Sequence, residues 1–131
     1  NYWLSNDHPC TIEFGGQKYS SVAAAMTRVD GAPLVERIDS CAEMLKRKFE
    51  DENLRGMLLD TGNAQLLNRY VPGQSAFPQS EKLLWGVVNN QGKNVLGQLL
   101  MAVRDNLRRE SKVKLIKETL SPFGDSGGSV A

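Results

Sequence analysis

The run "VLGQLLMAVRDNL", from Val95 to Leu107, constrains the fold more than any other stretch of the chain. Leu96, Leu99, Leu100, Val103 and Leu107 recur at the three-and-four spacing of an α-helix and form one continuous apolar stripe. A stripe of that kind must be buried, and Gly97 within it lets a neighbour approach closely, so this helix is expected at the centre of the core. Asn94, just ahead of it, is placed to cap it. A second stripe, Leu34, Val35, Ile38, Cys41, Ala42, Leu45 and Phe49, predicts another amphipathic helix, and Asp51 can cap a third that carries Leu54, Met57 and Leu58 and ends at Gly62. In a chain of 131 residues, these stripes are best served by one shared core and hence one domain.

The remaining segments are shorter. "CTIEFGGQKYS" sets Ile12 and Phe14 two apart ahead of Gly15-Gly16, the pattern of a β-hairpin whose tight turn needs positive φ. "SSVAAAM" follows as a short helix with Ser20 or Ser21 as N-cap, stopped at "DGAP" by Gly31 and Pro33. "AQLLNRYV" and "LLWGVV" read as short strands, and "PGQSAFPQSEK" between them as a long loop of the kind that often carries function. "SKVKLIKETL" predicts a last amphipathic helix, and "SPFGDSGGSVA" a flexible tail or linker. The expected architecture is α+β: a compact, mainly helical domain over 1–120 with an N-terminal β-hairpin and short strands, then a tail over 121–131.

Composition narrows the function classes. Apolar residues make up 40% and charged residues 24%, close to the globular average, so the bulk should fold. A net charge of +1 with interspersed signs gives no global case for nucleic acid or a membrane surface. The one basic stretch, Arg104, Arg108, Arg109, Lys112, Lys114 and Lys117, is interrupted by Asp105, Glu110 and Glu118 and reads as a solvated helix face. Cys10 and Cys41 form neither a disulfide framework nor a zinc motif, and His8 is the only histidine, so no metal and no cofactor is expected, and the compartment is expected to be reducing: intracellular, cytoplasmic or nuclear. No membrane span or signal peptide is visible, and the opening Asn1 in place of Met suggests a piece of a longer protein.

Three blocks carry a family resemblance. Gly92-Lys93-Asn94-Val95-Leu96-Gly97-Gln98-Leu99-Leu100-Met101-Ala102-Val103-Arg104 resembles the G-K-N-x-L-G-x-L-L-M-x-x-R block of the NADAR family, known also through its YbiA-like members. Lys48-Phe49 with Leu54-Arg55, Leu58-Leu59, Thr61-Gly62 and Leu66 is similar to its K-F segment, and Leu4-Ser5-Asn6, Pro9, Tyr19 and Ser21-Val22 are similar to its opening. The resemblance spans roughly Tyr2 to Leu107 in the family's order. It implies a compact α+β domain and an ancestral N-glycosidase activity on ribosyl phosphate or ADP-ribose derivatives.

Against that family the chain departs at three places. Where the resemblance implies S-V-E-H-A with a catalytic glutamate, the chain reads Ser21-Val22-Ala23-Ala24-Ala25. Trp85-Gly86 leads into Val87 rather than an acidic residue, and Leu34 stands about where the family carries a tryptophan. Cleaving a sugar–nitrogen bond calls for a positioned carboxyl group, which alanine cannot supply. The former site, at Ala23, Ala24, Leu34 and Val87, is therefore expected either to fill with aliphatic side chains or to stay open as an apolar groove, with filling favoured.

The leading expectation is a pseudoenzyme serving as a protein-interaction or dimerisation module, with its contact surface on the apolar face of the first helix or in "PGQSAFP", including Phe77. One alternative is an active N-glycosidase that recruits Asp30, Glu36 or Asp39. Another is a non-catalytic reader of ADP-ribose or nucleotide through Trp85, Lys93 and Asn94, the Gly92-Lys93-Asn94 turn offering backbone N–H groups to an anion.

Overall fold

The computed structural model describes residues 2–71 and 77–127, those from 122 onward through their backbone alone. The chain enters through a 3₁₀ turn at Tyr2–Leu4 and an antiparallel hairpin, β1 (Ile12–Phe14) and β2 (Gln17–Tyr19), paired Ile12 to Tyr19 and Phe14 to Gln17. Gly15 and Gly16 close it at φ 59° and 80°, both in the left-handed region that a two-residue turn of matching twist demands. Helix α1 (Val22–Met26) follows, and its cap is Ser21, whose Oγ accepts the Ala24 N–H at 3.0 Å.

After a 3₁₀ turn at Thr27–Val29 come α2 (Leu34–Lys48), α3 (Glu52–Asp60), α4 (Gln79–Trp85) and α5 (Val95–Gly127). Asp51 caps α3 as expected, its carboxylate accepting the Leu54 N–H at 2.9 Å. The architecture is α+β, with the hairpin at its N-terminal end.

Neither additional strand forms. "AQLLNRYV" runs mostly without regular structure, with a single parallel bridge from Arg69 to Val87, and the "LLW" of "LLWGVV" is the last turn of α4. The reason is local. Pro78 precedes the helix and Glu81 lies in its first turn, an opening that favours helix, while Asn89 and Asn90 turn back at φ 52° and 65° before Val87 and Val88 can extend a strand. "SKVKLIKETL" continues α5 rather than starting a helix of its own, and the helical backbone runs to Gly127; residues 128–131 lie outside the described residues.

The core is built on α2. Its Cys41, Met44 and Leu45 are fully buried together with Ile12 of β1, Val22 and Ala25 of α1, Phe49 and Leu58. The stripe of α5 completes it through Leu96 and Leu100. Val22 and Ala25 of α1 are spent on this core, which leaves Ala23 and Met26 of that helix facing a cleft.

Of the buried cations Lys48, Arg104 and Lys82, Lys48 is the most enclosed. Lys48 is 1% exposed, donates from Nζ to the Ser5 carbonyl at 2.8 Å, and lies 5.3 Å from the Phe49 ring centroid. It pins the N-terminal segment to α2, at a cost: burial lowers its pKa from 10.5 to about 8. Burial also pushes the Cys41 thiol up to about 12, against the Asn6 hydrogen bond, and raises Cys10, against the pull of Lys48.

The two effects oppose each other with pH. Between about pH 8 and 10.5 the unfolded chain holds more protons at Lys48 than the folded one, so stability rises through that window. Above the ordinary thiol value of 9.0 the folded chain retains thiol protons that the unfolded one loses, so stability falls. The melting temperature should therefore climb from neutral pH to about pH 9 and decline beyond. Lys48→Met should abolish the climb and keep the decline; an unchanged profile in that variant would contradict the assignment.

Candidate functional site

One wall of the site is organised by Asn94. Its side chain is buried, its Nδ2 donates to the Leu66 carbonyl and its Oδ1 accepts the Asn68 N–H, each at 2.9 Å. The Asn94 carbonyl still receives the Gln98 N–H at 2.9 Å, so the residue begins α5 through its backbone while its side chain clasps the preceding segment. Two glycines make room. A Cβ on Gly97 would overlap the Leu66 carbonyl and the Asn94 amide, and one on Gly86 would overlap the Asn68 carbonyl.

Further bonds stitch the same segment to the end of α4. Val87 N–H donates to Asn68 O at 2.8 Å, Tyr70 N–H to Val87 O at 2.9 Å, and Asn68 Nδ2 to Trp85 O at 3.1 Å. The result is a backbone layer that presents Asn68, Arg69 and Tyr70 to one side. Its formation uses the turn amides that the sequence offered to an anion: Lys93 N–H is bonded to Leu83 O at 2.7 Å and Asn94 N–H to Gly86 O at 3.2 Å.

Facing that layer is α1, and between them lies an open cleft of about 660 Å³. Ala23 sits on its wall, held there by its N–H donating to the Asn6 carbonyl at 2.8 Å. Asp30 follows on the same side, and Tyr70, Phe77 and Trp85 supply aromatic surface opposite, with Tyr70 and Phe77 edge to face at 6.3 Å. Arg37 of α2 and Glu81 of α4, 44 residues apart, form an ion pair of 2.9 Å in the lining.

Burial raises the Tyr70 pKa; an Asn68 hydrogen bond opposes this, while the Asp7 and Glu81 charges add to it. Asn6 Oδ1 and Arg37 Nε are buried in lining residues and have no partner among the described residues. No group of three metal-ligating side chains occurs among the described residues.

The structure brings together only part of the set that the sequence singled out. Ala23, Trp85 and Phe77 line the cleft, and so does Asp30. Ala24, Glu36 and Asp39 are not in its lining. Leu34 stands 41% exposed at the start of α2, and Val87 is buried behind the wall in the bridge to Arg69. The Lys93 side chain is exposed and away from the cleft, and Asn94 supports the wall rather than lining it. Residues 72–76 of the "PGQSAFP" segment lie outside the described residues.

The cleft beside Ala23 is open, and its lining includes polar side chains, among them the Arg37–Glu81 pair. The sequence reading missed Asp7, Arg37, Asn68, Tyr70 and Glu81 as site residues. Asn6 could have been found, since it closes the "LSN" opening of the family resemblance; nothing in the local sequence connects Arg37 with Glu81. No protein-family model, no curated protein and no solved structure matches the chain.

The clasp can be tested directly. Asn94→Ala leaves a buried carbonyl and a buried N–H unpaired and should cost about 2–5 kcal/mol in urea unfolding. Gly97→Ala should cost at least about 1–3 kcal/mol through overlap. A loss near zero in both would show that the wall does not depend on this amide.

Proposed function

We propose that the chain is a degenerate NADAR-like domain that has given up N-glycosidase chemistry and keeps its cleft as a non-catalytic site for a ribosyl ligand, a nucleoside, nucleotide or ADP-ribose. The observation that carries this is the position of Ala23 on the wall of an open polar and aromatic cleft. Alanine at that point leaves no acid where the family resemblance implies one, and the volume lies within the range of small-molecule sites. Tyr70, Phe77 and Trp85 give a flat ring surfaces to lie against, and Asn6, Asn68 and Arg37 give its polar edges partners.

A ligand at about a hundred times its Kd should stabilise the domain by roughly 2.7 kcal/mol, a rise of several degrees in melting temperature. The melts are made with a nucleoside, its monophosphate and ADP-ribose, and each sample is assayed for free base and free ribose. Stabilisation without product is expected, and Phe77→Ala should weaken the binding severalfold. Product would overturn the non-catalytic reading in favour of an N-glycosidase using another cleft carboxylate; no stabilisation by any of the three would overturn the ligand site.

A protein-interaction or dimerisation role is a second reading, favoured by one observation. Val113, Leu115, Ile116 and Leu120 of α5 are 44–62% exposed, more apolar surface than a solvated helix end requires. If that surface pairs two copies, sedimentation should give a dimer that Ile116→Lys with Leu120→Lys converts to monomer. A wild-type monomer would dismiss the self-association form of this reading.

A further inference from the structure

Resting on the ligand-site reading, we infer that the cleft selects an unphosphorylated nucleoside, neutral or cationic, and discriminates against its phosphorylated forms. The charges that face the cleft carry the inference. Five charged side chains line it: Asp7, Asp30 and Glu81 against Arg37 and Arg69.

One arginine is paired and the other is not. Arg37 is paired with Glu81 at 2.9 Å, whereas Arg69, hydrogen-bonded to the neutral Asn90 Oδ1 at 3.3 Å, keeps its charge. Asp7 and Asp30 have no ion-pair partner among the described residues. Lys48 lies one layer behind Ser5, with its Nζ donated to the Ser5 carbonyl. Residues 72–76, between the lining residues Val71 and Phe77, are Pro, Gly, Gln, Ser and Ala and add no charge. With the Arg37–Glu81 pair set aside, two carboxylates face one guanidinium, so the charge presented to a ligand is negative on balance and disfavours a phosphate.

The aromatic wall suits a flat ring, and a positive ring gains further from Tyr70 and Trp85. The Tyr70 pKa is raised first by burial, and the Asp7 and Glu81 charges add to that rise.

The test compares adenosine, guanosine, their 5′-monophosphates, 1-methyladenosine (a cation at neutral pH) and ADP-ribose by calorimetry at low and high salt. A nucleoside should bind at least tenfold more tightly than its monophosphate, and this preference should shrink as salt screens the cleft. Glu81→Gln releases the charge of Arg37 and should move the ratio toward the monophosphate. Asp30→Asn should move the ratio of 1-methyladenosine to adenosine toward adenosine; a merely structural role for either carboxylate would weaken all ligands alike. Tighter binding of the monophosphates or ADP-ribose by the unaltered protein would overturn this inference and leave the ligand site standing. Binding of none of the six would overturn both.

Discussion

A single side-chain amide, that of Asn94, sets the geometry of the cleft. Its two hydrogen bonds tie the backbone at Leu66 and Asn68 to the residue just ahead of the central helix, and the chain from Asn68 to Tyr70 then has to run where the cleft needs a wall. The arrangement works because Gly97 and Gly86 carry no side chain, so a carbonyl and an amide can sit against the backbone itself. Three residues that look like routine helix and turn signals in the sequence therefore act together as one tertiary joint.

The opposite wall is held by a different kind of bond. The Asn6 carbonyl accepts the Ala23 N–H at the start of α1, and Lys48 reaches from α2 to the carbonyl of the neighbouring Ser5. The ammonium gains one strong hydrogen bond and an aromatic neighbour but loses its water, which is why its proton is held less tightly than usual. Arg37 and Glu81 then link α2 to α4. Both side chains are partly exposed, so the pair adds at most about 1 kcal/mol to stability, and within the cleft it compensates one positive and one negative charge together.

The open cleft bears on the proposed reading: a space filled with aliphatic side chains would have pointed to a scaffold, whereas an alanine beside an open, polar, aromatic space is compatible with binding without catalysis. The exposed apolar residues of α5 lie on a separate element, so a ligand site and a contact surface need not compete for the same residues.

The elements that were legible in advance owe their form to neighbours within a few residues. The stripes of α2 and α5, the Ser21 and Asp51 caps and the Gly15-Gly16 turn are local patterns, and each appears where its spacing placed it, except that Leu34 and Val35 at the start of the α2 stripe are exposed. The "LLWGVV" segment was misread because a short apolar run suits strand and helix equally, and the deciding features, Pro78 ahead of it and the positive φ values of Asn89 and Asn90 behind it, act at its ends.

By itself, then, the sequence determined α1, α2, α3, the start of α5 and the hairpin, because periodicity, capping and residue identity are properties of short stretches. Only the tertiary structure decided that Asn94 clasps a loop instead of meeting a ligand, that the cleft stays open, and that Arg37 meets Glu81 across 44 residues. Those outcomes depend on which distant groups come within hydrogen-bond reach of each other, and that is set by how the core packs.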